Sequence, residues 1–405
     1  MELADIALLT GPEGRRLLAS LPPYDERAAL ALGEQLRRAG HSADLVAAAL
    51  TQGRLRTRAA LRWGSVGTDL LPRLLLTADG AEQATRPTVA ALRAQRYQRI
   101  GVGATVADLG CGVGIDALAL AAAGLLVEAY EQDALTAWVA LANAGATGRG
   151  QQISVTTADV TSLPRATWTR FDAAFADPAR RRNGRRLMQP ESWSPPLSWV
   201  LDLPVKSLGV KVAPGLDHDR VPAETEFAVV SDGGAVVEAA LYRGALRDLG
   251  VTRSAMLLPA GASVSDADLP ADPPPVNPVG QYLHEPDGAV IRAGLVAAVV
   301  DAVNGWLIDP RIAYISSGHN VASPFLSSYQ VIDVLPFALK RLRAYLRAED
   351  VGHVVIKKRG SAIDVDELHR SLRLDRSARE HRTLVLTRIG DDPIVVVCRP
   401  MKRAA

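Results

Sequence analysis

The chain has 405 residues, of which 48% are hydrophobic and 22% charged, so it is long and apolar enough to fold into two or three globular domains. Its first residues lack a basic start followed by an apolar stretch, and no window offers about 18 uncharged apolar residues, which predicts a cytoplasmic protein without a signal peptide or membrane-spanning helix. Because Cys111 and Cys398 are the only cysteines and no Cys/His spacing suits zinc, we expect reduced thiols and no structural metal.

Charge is distributed unevenly along the chain. The net charge is +2, but residues 331–405 contain 16 Lys and Arg against 10 Asp and Glu. A basic segment of this kind predicts a polyanionic partner such as RNA. The alternative is a solvated surface in a chain that uses Arg more than Lys throughout. No sequence feature indicates an oligomeric state.

The first 250 residues fall into two regions of different periodicity. Residues 1–100 carry apolar positions at helical spacing, as in AALALGEQLRRAG, and predict a helical N-terminal domain. Residues 101–250 alternate short apolar strands with helical segments, which predicts βαβ units and a parallel, Rossmann-like sheet. The dipeptide Gly233-Gly234 predicts a hairpin turn between two antiparallel strands that close this sheet.

The remaining residues divide into a connecting segment and a small α/β domain. Residues 251–330 contain GASVSDADLPADPPPVNPVG, whose Pro, Asp and Ser content predicts a linker or extended arm without helix or strand. Residues 331–405 predict a helix in PFALKRLRAYLRAED, a strand in HVVIKK, a second helix that opens at Asp364, and strands in TLVLTRI and PIVVVCR.

The strongest functional motif is Asp108-Leu-Gly-Cys-Gly-Val-Gly114, between an apolar strand and a helix. Gly110, Gly112 and Gly114 allow a tight turn and a close approach of the backbone to a ligand. A dinucleotide site favours G-x-G-x-x-G, but position 115 is Ile. The spacing G-x-G-x-G after an acidic residue suits S-adenosylmethionine (SAM), which has no pyrophosphate and has an ammonium group for Asp108 to neutralise. The motif therefore predicts a SAM site, with a dinucleotide site or a chance glycine-rich turn as alternatives.

Two further acidic residues end the next two predicted strands. Glu131 follows the strand after the glycine motif, where its carboxylate can accept both ribose hydroxyls. Asp159 ends the following strand, where it can accept the adenine amino group. Each one alone could be a surface carboxylate or a helix cap. Three acidic residues at three successive strand ends beside a glycine loop favour a shared binding site.

A candidate catalytic motif ends the fourth strand, in FDAAFADPAR. It resembles the catalytic strand end of amino-group methyltransferases, where Asp/Asn-Pro-Pro-aromatic places a side-chain oxygen and a main-chain carbonyl against a substrate NH2. The resemblance implies that Asp177 and Pro178 act mainly by positioning the acceptor. Ala179 and Arg180 replace the second Pro and the aromatic ring, which argues against stacking on a flipped base. Asp177 could instead cap a turn before Pro178.

An arginine cluster follows the fourth strand. Its first residue, Arg180, is a candidate catalytic residue together with Asp177 and Pro178. Next to an active site such a cluster can clamp phosphates or carboxylates, and the alternative is a solvated loop. The cluster consists of Arg180, Arg181, Arg182, Arg185 and Arg186.

The same Asp-Pro-Ala-Arg motif also resembles that of uracil-C5 RNA methyltransferases, which need a cysteine to attack C6 of the base. No cysteine follows the next strand, GVKVAPGLDH, where it would be required. The sequence therefore disfavours the cysteine-dependent mechanism.

Five segments together resemble a bacterial family of class I SAM-dependent methyltransferases with a C-terminal THUMP-like domain: AEQATRPTVAALRAQR, DLGCGVGID, ADPARR, VKVAPGLDH and IKKRG. The resemblance implies an α/β fold in which the Rossmann-like SAM-binding domain (101–250) lies between the helical N-terminal domain and the THUMP-like domain (331–405). It also implies that Glu82-Gln83-Ala84-Thr85 folds over the methionine end of SAM. By its own pattern, Thr85 could equally be a helix N-cap with Pro87 in the first turn.

THUMP modules are associated with tRNA-modifying enzymes, so the resemblance implies an RNA substrate, with tRNA as the first candidate. Two alternatives remain open from the sequence. One is a methyltransferase of a small molecule or protein, and the other is a SAM-binding protein without transfer activity.

Overall fold

The structure is a computed structural model of the chain and describes residues 2–64, 69–182 and 185–401. The chain divides into two compact units, the first comprising Met1–Thr225 with Ala240–Asp248 and the second Glu226–Ala239 with Leu249–Ala405. No helix within the three described ranges combines the length and apolarity needed to cross a bilayer.

The α-helices of these ranges are α1 (Leu3–Thr10), α2 (Pro12–Ser20), α3 (Ala29–Arg38), α4 (Ala43–Trp63), α5 (Ala78–Gln83), α6 (Pro87–Tyr97), α7 (Ile115–Ala122), α8 (Ala134–Ala146), α9 (Leu197–Leu201), α10 (Gly288–Arg292), α11 (Leu339–Ala348) and α12 (Val365–Leu372). The strands are β1 (Thr105–Leu109), β2 (Leu126–Glu131), β3 (Ile153–Thr157), β4 (Ala173–Ala176), β5 (Arg181–Arg182), β6 (Arg185–Arg186), β7 (Ser207–Val212), β8 (Thr225–Asp232), β9 (Ala235–Arg243), β10 (Arg253–Leu258), β11 (Ala262–Ser265), β12 (Tyr282–Pro286), β13 (Trp306–Asp309), β14 (Ile312–Ser317), β15 (Leu326–Pro336), β16 (Val351–Lys358), β17 (Glu380–Ile389) and β18 (Asp392–Pro400).

The N-terminal part of the first unit is helical, as its apolar spacing predicts. Ser42 caps α4 by accepting a hydrogen bond from the Leu45 N–H, and α4 packs against α1, α2, α3 and α5. Two buried amides then fix the extended segment 74–76 that leads to α5. Gln52 bonds the backbone N–H and C=O of Leu76, and Asn143 of α8 bonds those of Leu75. These bonds attach the helical part to the sheet.

Five parallel strands form the centre of the first unit, in the order β7-β4-β1-β2-β3, and residues 240–243 of β9 lie beside β7. Strands β1, β4 and β7 are almost wholly buried, which explains why their sequences are mostly apolar. Helices α7 and α8 connect β1 to β2 and β2 to β3. Because the strands are parallel, their carboxyl ends share one edge. The predicted Rossmann-like sheet is confirmed.

The second unit contains four strands in the order β11-β10-β8-β9 and a separate seven-stranded sheet. Gly233 and Gly234 form the predicted turn between β8 and β9, both with positive φ (61° and 83°). The larger sheet has the order β13-β14-β12-β15-β18-β17-β16. One hydrophobic cluster joins it to α11 and α12 through Leu342, Leu346 and Leu368, and another contains residues of β12, β13, β14 and β15.

The predicted elements of the C-terminal domain are all present. Helices α11 and α12 and strands β16, β17 and β18 coincide with the segments indicated by the sequence, and Asp364 caps α12 by accepting a hydrogen bond of 2.7 Å from the Glu367 N–H. The strand β15 begins at Leu326, before the predicted domain start at residue 331.

The expectation that the Pro-rich stretch forms no strand is wrong for β11. The four residues Ala262–Ser265 pair antiparallel with β10, from Leu257 to Ser254. They precede the first proline of the stretch, Pro270, so all of them have N–H groups for a ladder. Strands β10, β12, β13 and β14 also lie within residues 251–330, where the composition predicted a linker and gave no indication of strands. The division of the chain into four segments remains a prediction.

Candidate active site

The glycine loop joins β1 to α7 at the shared edge of the parallel strands. Gly110, Gly112 and Gly114 have φ values of 80°, 55° and 88°, in the left-handed region that favours glycine. A Cβ added to Gly112 would meet nothing within 4 Å, so this part of the loop faces open space. The loop therefore has a turned backbone with open space at Gly112, and its role as a ligand cradle stays a prediction.

Helix α5 packs directly on this loop. A Cβ on Gly80 would lie 2.5 Å from Cγ1 of Val113, so only glycine allows this approach. Thr77 caps α5 by accepting a hydrogen bond of 2.9 Å from the Gly80 N–H. In the predicted Glu82-to-Thr85 motif, Glu82 is exposed and forms an ion pair of 2.9 Å with Arg58.

Glu131 ends β2 beside the glycine loop. Its Oε2 accepts a hydrogen bond of 3.1 Å from the Gly112 N–H, and its Oε1 accepts one of 3.0 Å from the Asp133 N–H. Two backbone donors thus orient a half-buried carboxylate whose oxygens have further lone pairs. Asp133 itself caps α8 by accepting a hydrogen bond of 2.8 Å from the Thr136 N–H.

Asp159 follows β3 and is exposed. Its Oδ1 accepts hydrogen bonds from the backbone N–H and hydroxyl of Thr161, at 2.9 and 2.7 Å, and so caps a short 3-10 turn. This capping role and the predicted adenine contact are compatible, because a carboxylate has a second oxygen.

Asp108 lies in β1 beneath the loop and has no exposed surface. In the described part of the chain, neither carboxylate oxygen has a hydrogen-bond partner of ordinary geometry. Burial raises the pKa of Asp108 to about 7, while the nearby Arg93 guanidinium opposes this shift. A buried acid of this kind creates a site where a cationic group would be stabilised.

Thr85 is part of a buried polar cluster that joins α6 and α7. Its hydroxyl donates to Oδ2 of Asp116 at 2.7 Å, and the Arg93 guanidinium donates to Oδ1 of the same carboxylate. The guanidinium also stacks on Phe175, 4.1 Å from the ring centroid. The helix-cap alternative for Thr85 is wrong, because α6 begins at Pro87 with Arg86 at the N-cap position.

Lys211 connects this cluster to Asp177. Its ammonium donates to Oδ2 of Asp177 at 2.7 Å and to the Thr85 hydroxyl at 3.4 Å. The Lys211 side chain is 9% exposed, whereas the Asp177 side chain is 27% exposed. Asp177 therefore points to the accessible side of the cluster, and its side chain pairs with Lys211 instead of capping the turn before Pro178.

Arg180 contacts the neighbouring strand through its side chain. Its Nη1 donates to the carbonyl of Val212, the last residue of β7, at 3.0 Å. Pro178 is buried, and the next residue, Ala179, pairs with Ser194 through two backbone hydrogen bonds. The arginine cluster continues into the antiparallel ribbon of β5 and β6, between which positions 183 and 184 lie outside the described residues.

Both cysteines are buried and free. Burial raises the pKa of Cys111 well above its usual value and that of Cys398 to about 12, so both thiols are held protonated. Cys398 lies in β18 of the second unit. These positions agree with the sequence argument against a cysteine nucleophile.

Three residues of this site were not indicated by sequence reasoning: Arg93, Asp116 and Lys211. The available signal was a lone cation in an otherwise apolar strand, GVKVAP, and an acid two residues after the last glycine of the loop. A buried charge requires a partner, but the partners lie far away in the sequence. Asp177 and Lys211 are 34 residues apart, and Thr85 and Asp116 are 31 apart.

These features fit SAM. The loop leaves open space above Gly112, the Glu131 carboxylate is oriented next to it, and the buried Asp108 favours a cation. A parallel sheet with a glycine loop after β1 and acidic residues at adjacent strand ends defines a Rossmann-like nucleoside-binding fold.

Comparison with known proteins supports this class. Two relatives are uncharacterised S-adenosylmethionine-dependent methyltransferases of Mycobacterium tuberculosis, from strains CDC 1551 and H37Rv. Each is 36% identical to this chain over 357 residues. The match covers 86% of this chain and 95% of each relative. The crystal structure of a proposed methyltransferase from Porphyromonas gingivalis W83 has a similar fold, with a TM-score of 0.73, 19% identity and coverage of 99% of this chain and 100% of that chain. Residues 326–400 match a family model described as THUMP domain-like, and residues 2–59 match a domain of unknown function (DUF8688).

The fold and the site thus define a class I SAM-dependent methyltransferase. This chain belongs to the family of S-adenosylmethionine-dependent methyltransferases that includes the two mycobacterial proteins. It is an enzyme that uses SAM, and its residues 326–400 match a THUMP domain-like domain.

Proposed function

We propose that this methyltransferase acts on RNA, with tRNA as the first candidate. The observation that carries the proposal is the THUMP domain-like match at residues 326–400, in a part of the chain with an excess of basic residues. Basic surfaces bind the phosphate backbone without requiring a base-specific pocket.

We assign the SAM-binding roles to the residues around the glycine loop. Glu131 is expected to accept the ribose hydroxyls, and Asp159 the adenine amino group. The buried Asp108 is expected to offset the ammonium charge from beneath the loop, and the segment that ends at Thr85 is expected to cover the methionine end. When bound, SAM supplies a methyl group activated by its sulfonium centre.

Asp177 is the residue to which we assign orientation of the acceptor. Because Lys211 engages Oδ2, we assign Oδ1 to a hydrogen bond from the acceptor N–H or O–H. The Pro178 carbonyl is the second acceptor in this proposal. Arg180, which donates to the Val212 carbonyl, is assigned to holding the loop in place. Rate enhancement then comes mainly from orientation of the attacking lone pair.

The test compares RNA nucleosides by mass spectrometry in cells with and without the gene. We expect one methylated nucleoside to disappear and to return with the wild-type gene but not with an Asp177→Ala variant. Purified enzyme with labelled SAM should then modify RNA from the deletion strain and not RNA from wild-type cells, whose sites are already methylated. An unchanged set of nucleosides, together with transfer of label to protein or small molecules, would overturn the RNA proposal.

A further inference from the structure

The outward side of α11 is strongly basic. The helix LKRLRAYLRA has four cationic and no acidic residues. Lys340, Arg341 and Arg347 are exposed, while Leu342 and Leu346 are buried in the hydrophobic core of the domain. The apolar side of α11 is therefore used within its own domain, and the side left to solvent carries three positive charges.

More cations lie beside the middle of α11. The fourth cation of the helix, Arg343, donates from Nε to the carbonyl of Ser371 at 2.5 Å. This bond places the first half of α11 against the last turn of α12. Arg370 directly precedes Ser371 and Arg373 follows it by two residues, so these two exposed cations belong to the segment that contacts α11.

A second pair of cations lies near the C-terminal end of the helix. The Glu380 N–H donates to the Asp350 carbonyl at 3.0 Å, and a Cβ on Gly352 would lie 2.2 Å from the Ala378 carbonyl oxygen. The loop before β17 therefore packs on the residues that follow α11. This loop carries the exposed Arg376 and Arg379.

We group these seven cations, which lie on α11 and on the segments packed beside it, under the name α11 face: Lys340, Arg341, Arg347, Arg370, Arg373, Arg376 and Arg379. All are exposed, and none forms an ion pair within 4.0 Å with another described residue. The acidic side chains near them are Glu349, Asp350, Asp366, Glu367 and Asp375, five against seven cations, and Asp375 accepts two hydrogen bonds from Ser377. Positive charge therefore predominates on this face.

The basic loop of the same domain differs from the α11 face. Lys357 forms an ion pair of 2.6 Å with Glu285, and Arg359 approaches the same carboxylate at 3.9 Å. Lys358 donates to the Ile363 carbonyl at 2.9 Å. Since all three cations have partners within the second unit, this loop is less suited to phosphates than the α11 face.

We propose that the α11 face binds the phosphate backbone of the RNA substrate. This inference rests on the proposed RNA substrate and adds the surface that contacts it. Neutralisation of phosphates by exposed cations releases counterions from the RNA, which favours binding without sequence specificity. The face exposes no large apolar side chain from α11 that could insert into a lipid surface, so RNA is the partner that its chemistry favours.

The test uses the full-length chain and an unmodified tRNA transcript at several salt concentrations. The α11-face variant combines Lys340→Gln, Arg341→Gln and Arg347→Gln. The matched control, Lys357→Gln with Lys358→Gln and Arg359→Gln, removes the same number of charges from the same domain. We expect the α11-face variant to reduce the salt slope of log K by up to about 0.9 for each duplex phosphate that is no longer neutralised, and the control to change it much less. Circular dichroism checks that both variants are folded.

The possible outcomes distinguish failure of the proposed RNA-binding surface from failure of the proposed RNA substrate. Suppose that the wild-type enzyme binds and methylates RNA, but only the control variant reduces the salt slope of RNA binding. The assignment of RNA binding to the α11 face would then be wrong, and the proposal of an RNA substrate would stand. If the wild-type enzyme shows neither salt-dependent RNA binding nor RNA methylation, both proposals fail. Equal slopes for the α11-face variant and the wild type would also overturn the surface, as would tighter binding of wild type to phosphatidylserine vesicles than to the transcript.

Discussion

Lys211 and Asp177 form an ion pair across two adjacent parallel strands, with 2.7 Å between Nζ and Oδ2. Strands β4 and β7 are in register at Ala176 and Val210, so each charged residue follows a paired position. Lys211 is almost completely buried, and its charge requires a partner there. The pair therefore holds the Asp177 carboxylate at the edge of the sheet that carries the glycine loop.

Replacing Asp177 by Ala is expected to slow methyl transfer at least about a hundredfold while SAM affinity stays within about 1 kcal/mol of wild type. The carboxylate is assigned to the acceptor and not to the adenosine, so its loss should affect turnover and spare cofactor binding. Single-turnover transfer from labelled SAM and calorimetry measure the two quantities. Asp172→Asn is a matched control, because Asp172 precedes the same strand and bonds Thr105 at the opposite edge. Wild-type turnover in Asp177→Ala would contradict the assignment.

A double-mutant cycle tests the ion pair itself. Lys211→Met and Asp177→Ala are each expected to destabilise the fold by about 1 to 3 kcal/mol, because each removes one partner of the pair. The double variant should be less destabilised than the sum of the two changes. Urea unfolding of the four proteins measures the coupling energy. Additive changes would show that the ion pair contributes nothing to stability.

Glu131→Gln is expected to weaken binding of SAM and S-adenosylhomocysteine by about 1.5 to 3 kcal/mol, the usual contribution of a hydrogen bond to a charged group. The substitution keeps the size of the side chain and removes the charge that the ribose hydroxyls would contact. Glu128→Gln in the same strand is the control, since Glu128 pairs with Arg170 away from the glycine loop. Calorimetry with both ligands checks the prediction, and unchanged affinity in Glu131→Gln would refute the ribose contact.

The raised pKa of Asp108 predicts that the free energy of unfolding depends on pH. Its folded pKa of about 7 lies above its ordinary value of 3.8, because the buried carboxylate is poorly solvated. The folded state then retains a proton that the unfolded state releases. The resulting stability is present below about pH 4 and is lost as pH rises towards 7, with a slope of at most about 1.4 kcal/mol per pH unit.

An Asp108→Asn variant lacks this titration. Its free energy of unfolding, measured without ligand, should therefore rise relative to wild type as pH increases from about 4.5 to 7. Urea titrations at several pH values give the comparison. Parallel pH profiles for the two proteins would show that Asp108 does not carry a raised pKa.

Local patterns in the sequence were sufficient for much of the fold. The spacing of apolar residues indicated α11, α12 and the parallel strands, because burial on one face or on both faces has a characteristic period. Composition was a poorer guide between residues 251 and 330. There Pro and Asp content concealed β11, whose four residues are stabilised by pairing with β10 and not by their own propensity.

The candidate site likewise contains residues that could be placed from the sequence and residues that could not. The glycines at 110, 112 and 114 and the acids at 131 and 159 could be placed from sequence, because a loop or residue at the end of a parallel strand must lie at the shared edge. Lys211 and Asp116 could not, because their roles depend on partners 34 and 31 residues away. Likewise, nothing in the sequence indicates an ion-pair partner for Lys357 or Arg359. Only the tertiary structure pairs them with Glu285, which is 72 residues from Lys357. Sequence determined which backbone segments could bind a nucleoside, since that follows from local geometry, whereas folding decided which charges are neutralised, since ion pairs join residues that only packing brings together.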